Sequence, residues 1–156
     1  NTMHKVFDQV QSKLTLPLIN IINTTASEAK QNGVTKVALL GTKFTMQEDF
    51  YIKGLEKNGL CALVPSIEDQ EIIHRIIVEE LVCGIILDNS KSEYLRIINK
   101  LKEEGANGVI LGCTEIPLLI KQSDCDIPVI DTATIHAEEA LRQAMKTKQV
   151  NSSHQM

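Results

Sequence analysis

The stretch that decides the fold is Val37-Ala38-Leu39-Leu40-Gly41. Four consecutive apolar residues ended by a glycine are typical of a strand buried on both faces, as the strands of parallel sheets are. The run Val109-Ile110-Leu111-Gly112 repeats this pattern, and shorter runs at 61–64 and 127–130 predict two further strands. Amphipathic stretches separate these runs. The sequence therefore predicts an α/β fold, a parallel sheet flanked by helices.

The segments between the strands carry apolar residues at the spacing of an amphipathic helix. Asn58-Gly59 and Gly105 supply helix stops, and Asp131 or Thr132 is placed to cap the last helix. The predicted helices span 4–14, 46–57, 67–82, 93–104 and 132–145.

Composition and charge exclude several function classes. The chain has 156 residues, a formal net charge of -4, 3% aromatic residues and no adjacent pair of Lys or Arg, which argues against a nucleic-acid partner. No apolar run approaches the roughly 20 residues that a membrane span needs. The first residues do not form a signal peptide. We therefore expect a cytoplasmic protein with no membrane partner, and its four cysteines, which form no C-x-x-C pair, are expected to be reduced and to bind no metal.

Three loops carry the residues suited to chemistry. They are Asn1-Thr2-Met3-His4, Gly41-Thr42-Lys43-Phe44-Thr45 and Gly112-Cys113-Thr114-Glu115. Each follows a strand, or begins where a strand should have ended, and leads into a helix. Because ligands of open α/β sheets gather at the carboxyl ends of strands, we expect the three loops to share one crevice. Their hydroxyls, amides and free backbone N–H groups suit a carboxylate, and no phosphate-loop motif is present.

Cys113 is the strongest candidate for a catalytic residue. A thiol between a strand end and a helix start is expected to have a pKa below its usual value of about 8.5, and it can serve as a base or as an acid. The alternative is a small buried apolar residue, as Cys61 and Cys83 are expected to be.

His4, His136 and Glu115 are candidate supporting residues. Imidazole titrates near neutral pH, so either histidine is a candidate orienting group or general acid. The alternative for each histidine is a helix-surface or capping role. Glu115 is expected to hold the Cys113 loop by accepting backbone hydrogen bonds.

Four segments, taken together and in this order, resemble the aspartate/glutamate racemase family. They are Asn1-Thr2-Met3-His4, Leu40-Gly41-Thr42 through Thr45, Gly112-Cys113-Thr114-Glu115, and Asp131-Thr132 with Ile135-His136-Ala137-Glu138. The resemblance covers the chain from Asn1 to about Met145.

The resemblance implies two pseudo-symmetric α/β domains with the substrate between them. Residues 1–17 and 131–147 would be remnants of the first domain, 18–130 the complete second domain, and 148–156 a polar tail. In the family, the residue immediately before the Asn-Thr segment supplies the other acid/base group. The chain begins at Asn1, so it is expected to be N-terminally truncated and, as it stands, inactive.

The resemblance also implies an activity: racemisation of aspartate or glutamate without pyridoxal phosphate or another cofactor. Cys113 matches one of the two bases, and a homodimer is implied. The expected hydrogen-bond donors to the substrate are Asn1, Thr2, Thr42, Thr45 and Thr114.

Two alternatives stay open. One is another cofactor-independent proton-transfer enzyme of the same superfamily, such as a hydantoin racemase, a maleate isomerase or a malonate decarboxylase. The other is a module that binds a small carboxylate without chemistry, with a structural cysteine.

Overall fold

A parallel sheet organises the fold, which a computed structural model describes over residues 1–152, with side chains through residue 146. In this part of the chain four strands pair in the order β2-β1-β3-β4, and all of them are parallel. Their bounds are Lys36–Gly41 (β1), Cys61–Leu63 (β2), Gly108–Gly112 (β3) and Val129–Asp131 (β4). The predicted α/β class is confirmed.

Helices connect the strands and cover both faces of the sheet. Their bounds are Phe7–Gln11 (α1), Ile21–Gln31 (α2), Lys43–Gln47 (α3), Asp49–Lys57 (α4), Ile67–Arg75 (α5), Asp88–Glu103 (α6), Ile116–Leu119 (α7) and Thr132–Ser152 (α8). Helix α5 continues as a π-helical turn, Ile76–Glu80, and a 3₁₀ turn, Leu81–Cys83. Shorter 3₁₀ segments are Thr2–Val6 and Gln122–Asp124.

The two faces of β1 belong to two different hydrophobic cores. Ala38 and Leu40 pack with buried residues of α5 and α6, whereas Val37 and Leu39 pack with those of α2 and α4. This division follows from the alternation of side chains along a strand, and the continuous apolar run is needed because both faces are covered.

Helix α2 is the element that the sequence prediction missed. Its N-cap is Asn20, whose side chain accepts from the backbone N–H groups of Ile22 and Asn23. The buried side chains of α2 include Ile22, Ala26 and Ala29, at helical spacing, and Gly33 follows with a φ of 71°. The cap and the spacing were both readable signals.

The helix predicted at 93–104 begins earlier, at Asp88. Three other predicted helices also have different bounds from those expected. The helix at 46–57 is interrupted at Glu48, whose ψ of 141° is extended, so α3 and α4 are separate. The helix at 4–14 is a 3₁₀ segment followed by the short α1. The last helix begins at Thr132 but runs to Ser152, past the expected end at Met145. The predicted polar tail at 148–156 lies outside the residues whose side chains are described.

Two cysteines are placed differently from the expectation. Cys61, the first residue of an edge strand, and Cys83, in the 3₁₀ turn after α5, are both exposed. The expectation that they are buried was wrong, because apolar neighbours show neither that β2 is at the sheet edge nor that residues 82–89 are exposed. Within the described part of the chain, no helix is long and apolar enough to span a membrane.

Candidate active site

Two of the three loops follow neighbouring strands and lie side by side. β1 pairs with β3 in a register that sets Gly41 opposite Gly112, so the loops after these residues leave the sheet together. A Cβ added to Gly41 would lie 2.9 Å from Thr45 Cβ, and one added to Gly112 would lie 2.8 Å from Leu40 O. Real Cβ atoms do not approach so closely. Glycine at both positions therefore allows the β1 and β3 loops to pack against each other.

A line of hydroxyl groups joins the first loop to the second. Thr2 Oγ1 lies 3.4 Å from Thr42 Oγ1, which in turn lies 3.4 Å from Thr45 Oγ1. Thr45 is fully buried, whereas Thr2 and Thr42 are half-buried. The structure therefore brings these three predicted ligands together, with Thr45 beneath the other two.

Asn1 is joined to the rest of the site by its side-chain amide. Asn1 Nδ2 donates to Thr132 Oγ1 at 2.9 Å, and Asn1 Oδ1 accepts from the Tyr51 hydroxyl at 3.0 Å. Thr132 Oγ1 also donates to the carbonyl of Leu111 at 2.8 Å, two residues before Cys113. The first loop, α4, the start of α8 and the end of β3 are thus connected by side-chain hydrogen bonds.

Cys113 and Glu115 form a bonded pair at the end of β3. Cys113 Sγ donates to Glu115 Oε2 at 2.9 Å, and both side chains are half-buried. Burial and the hydrogen bond to the Glu115 carboxylate raise the pKa of the Cys113 thiol to about 12. The same hydrogen bond holds the pKa of Glu115 below its usual range. The resting pair is therefore a neutral thiol beside a carboxylate.

The expected lowering of the Cys113 pKa was wrong. The following helix, α7, has four residues and begins at Ile116, with Glu115 at its N-cap. Such a short helix has a weak dipole, and the negative Glu115 carboxylate is in direct hydrogen-bond contact with the sulfur. Charge and burial outweigh the helix terminus at this position. The sequence showed Glu115 two residues away but not the direction of its side chain.

The remaining predicted residues have different surroundings. Thr114 is exposed, and its side chain is one of the causes that lower the pKa of Glu115. The rings of His4 and His136 lie 5.6 Å apart, edge to face. His4 Nε2 accepts from the Ile21 N–H, and His136 Nε2 bonds the carbonyl of Ile19, each at 3.0 Å.

The two histidines therefore fix the segment before α2, and burial lowers the pKa of His4. A role in proton transfer for either one stays a prediction. Among the described residues, no three His, Cys, Asp or Glu side chains form a group that could hold a metal ion.

Tyr51 and the inward role of Thr132 are what the sequence reasoning missed. Of the two expected caps, Asp131 is the one that caps α8, because its Oδ1 accepts from the N–H groups of Ala133 and Thr134. The Thr132 hydroxyl instead bonds to Asn1 and Leu111. Tyr51 is fully buried. A buried tyrosine needs a partner for its hydroxyl, and this was the one signal that could have drawn attention to it.

The fold and the site define a class of α/β protein in which a thiol and a set of amide and hydroxyl donors meet at the carboxyl ends of parallel strands. The sequence profile of the Asp/Glu/hydantoin racemases matches residues 1–140. The chain belongs to this family.

Relatives with known sequences or structures agree with this assignment. A broad-specificity amino-acid racemase of Bacillus subtilis is 27% identical over 148 residues, which cover 90% of this chain and 60% of the relative. An aspartate racemase homologue from Pyrococcus horikoshii is 50% identical, with a TM-score of 0.87, over 93% of this chain and 64% of that structure. A candidate Asp/Glu racemase from Yersinia pestis is 46% identical, with a TM-score of 0.88 and the same coverage. The chain thus spans about 60 to 64% of the length of these relatives.

Proposed function

We propose that this chain is part of a racemase that moves the α-proton of an acidic amino acid, aspartate or glutamate, without pyridoxal phosphate. The observation that carries the proposal is the Cys113–Glu115 pair, held at the end of β3 beside the donors of the first two loops. The named activities of the relatives, amino-acid and glutamate racemases, support it. The division into 18–130 and two flanking remnants is part of the same proposal.

Inversion at an α-carbon needs two proton carriers, one on each face of the substrate. One group that cannot cross the plane of the substrate can remove a proton but cannot return another to the opposite face. Cys113 is the proposed carrier on one face. The side-chain hydrogen bonds that run from Asn1 through Thr132 to Leu111, two residues before Cys113, support placing the second carrier next to Asn1 in a longer chain.

The carbanion formed at the α-carbon has to be stabilised by the protein. Removal of the proton shifts negative charge onto the substrate carboxylate, and preorganised donors aimed at that group lower the barrier. Asn1, Thr2, Thr42 and Thr114 are the proposed donors. Thr45 acts through Thr42, because its own hydroxyl is fully buried.

The resting protonation state of Cys113 suggests which step it takes first. A thiol with a raised pKa is protonated at rest and is still a much stronger acid than an α-carbon, so in one direction Cys113 gives its proton to the carbanion and becomes a thiolate. In the other direction the thiol first passes its proton to the hydrogen-bonded Glu115 carboxylate or to solvent, and the resulting thiolate removes the α-proton. The cationic α-ammonium of a bound substrate would favour the thiolate and lower the pKa of Cys113 in the complex.

A second candidate is favoured by the same raised pKa. A domain that binds a small carboxylate without chemistry would tolerate a permanently protonated Cys113. The two candidates differ in one observable, because a binding domain shows affinity for an amino acid and does not exchange its α-proton.

The test is α-proton exchange in D₂O, followed by NMR without added pyridoxal phosphate, on L- and D-aspartate and L- and D-glutamate. It is run on this chain and on a form extended at its N-terminus to the length of the relatives. Exchange with inversion by the extended form supports the racemase and identifies its substrate. Affinity without exchange supports the binding domain, and inversion of another substrate, such as a hydantoin, supports one of the related enzymes.

We expect this chain alone to racemise poorly, because one proton carrier would be missing. Inversion by the 156-residue chain at the rate of the extended form would contradict the two-carrier account.

A further inference from the structure

The hydrogen bonds around Asn1 have a direction that one atom fixes. The carbonyl of Leu111 can only accept, so the Thr132 hydroxyl must give its single proton to that oxygen. Thr132 Oγ1 then has to accept from Asn1, which requires the NH₂ end of the amide to face it. The oxygen end therefore faces Tyr51, whose hydroxyl donates. We call this chain of bonds, from Tyr51 through Asn1 and Thr132 to Leu111, the amide relay.

Burial makes the amide relay persistent. Tyr51 and Thr132 are both fully buried, so water does not compete for their hydroxyl groups. Burial also raises the pKa of Tyr51, so its hydroxyl stays a neutral donor throughout the ordinary pH range. Tyr51 therefore holds a proton and does not transfer one.

The amide relay uses one of the two Nδ2 hydrogens of Asn1. A free asparagine side chain rotates and flips its amide, and each such motion moves its donors away from a ligand. With the oxygen bonded to Tyr51 and one N–H bonded to Thr132, rotation would break two hydrogen bonds. The second N–H thus has a fixed direction before a ligand arrives, which is what preorganisation means.

We propose that Tyr51 and Thr132 are positioning residues, which act through Asn1 by fixing its amide so that its remaining N–H donates to the substrate carboxylate. This inference rests on the proposed function, and it adds two residues on α4 and α8 that do not touch the substrate. Since the carboxylate gains charge as the α-proton leaves, a loosened Asn1 should weaken the transition state more than the ground state.

The experiment uses the extended form and four conservative variants. Tyr51→Phe and Thr132→Val each remove one hydroxyl from the amide relay, whereas Thr132→Ser keeps it. Tyr94→Phe is the matched control, because Tyr94 is also fully buried and its hydroxyl donates to a carbonyl of α5, that of Ile73, at 3.3 Å. Circular dichroism and thermal midpoints verify folding. The readouts are kcat and KM for racemisation, and the ¹⁵N side-chain amide resonances of Asn1.

We expect kcat to fall about tenfold in Tyr51→Phe and in Thr132→Val, with a smaller change in KM. Thr132→Ser should restore most of the rate, and Tyr94→Phe should change it less than about twofold. The double variant Tyr51→Phe with Thr132→Val should have a kcat only slightly below that of either single variant, because both residues act through the same amide. The Asn1 amide resonances should shift in Tyr51→Phe and stay in place in Tyr94→Phe.

The inference is overturned if folded Tyr51→Phe keeps the wild-type kcat, or if kcat falls as much in Tyr94→Phe as in Tyr51→Phe. It is also overturned if the Asn1 resonances do not respond to Tyr51→Phe. Failure of the proposed function has another signature: the unmodified extended form exchanges none of the amino acids, while the Asn1 resonances still report whether the amide relay exists.

Discussion

Replacing Glu115 by Gln tests what keeps Cys113 protonated. The amide oxygen of glutamine can still accept from Sγ at the present distance of 2.9 Å, so the substitution removes the negative charge and retains the shape. Burial, the larger cause of the raised pKa, stays in place. The pKa of Cys113 should therefore fall but remain above that of an exposed thiol.

The size of the effect follows from the position of the pKa. With a pKa of about 12, close to one Cys113 in ten thousand is a thiolate at pH 8. Each unit by which the pKa falls raises that fraction about tenfold. We expect Glu115→Gln to lower the pKa of Cys113 by about 1, and therefore to raise the rate of alkylation of Cys113 at pH 8 by about tenfold.

The assay is alkylation by iodoacetamide between pH 7 and 10, with the Cys113 peptide quantified by mass spectrometry. Exposed Cys61 is an internal reference in every sample, and Glu103→Gln, at an exposed position on α6, controls for the loss of one charge. An unchanged Cys113 profile in Glu115→Gln would refute the role of the carboxylate. If unmodified Cys113 reacted as fast as Cys61 at pH 8, the account of burial would be refuted as well.

Two further predictions concern stability and are checked by urea unfolding. Asp69→Asn should lower the free energy of unfolding by about 1–3 kcal/mol at pH 7, because the buried carboxylate pairs with Arg96 and Lys100. The control is Glu93→Gln, on the exposed side of the same arginine, which should lower it by less than about 1 kcal/mol. The pKa of Asp69 is lowered in the folded protein, so its contribution to the free energy of unfolding should be complete above the unfolded pKa near 4 and be lost as the pH falls through the folded value. An equal loss of stability in Asp69→Asn at pH 7 and at pH 2 would contradict this. Gly112→Ala should lower the free energy of unfolding by about 1–3 kcal/mol, because the new Cβ would lie 2.8 Å from the carbonyl oxygen of Leu40. An unchanged free energy of unfolding would mean that the β1 and β3 loops pack less closely than described.

The sheet was largely predictable because its signal is local. Continuous apolar runs ended by glycine identify strands buried on both faces, and all four predicted strands are present. Helix α2 was missed although Asn20 and the spacing of its buried residues were in view. The break at Glu48 was not predictable from periodicity, because apolar spacing continues across it while the backbone turns extended.

The site was predictable as a set of loops and not as a set of contacts. Strand ends locate the β1 and β3 loops, and the structure joins Thr2, Thr42 and Thr45 as neighbours. The sign of the Cys113 pKa shift required the direction of the Glu115 side chain, which no spacing rule provides. The hydrogen bond from Tyr51 to Asn1 was not predictable either, because the two residues are fifty positions apart in the sequence.

The most direct test of the central claim is the rate of inversion at the α-carbon, followed in D₂O together with the incorporation of solvent deuterium, in the extended form carrying Cys113→Ala. Cys125→Ala is the matched control, since Cys125 is also half-buried and lies outside the three loops. The account predicts that Cys113→Ala folds and binds aspartate or glutamate but loses inversion, while Cys125→Ala keeps the original rate. Inversion reduced by less than about tenfold in Cys113→Ala, a barrier change of about 1.4 kcal/mol, would show that Cys113 is not a proton carrier.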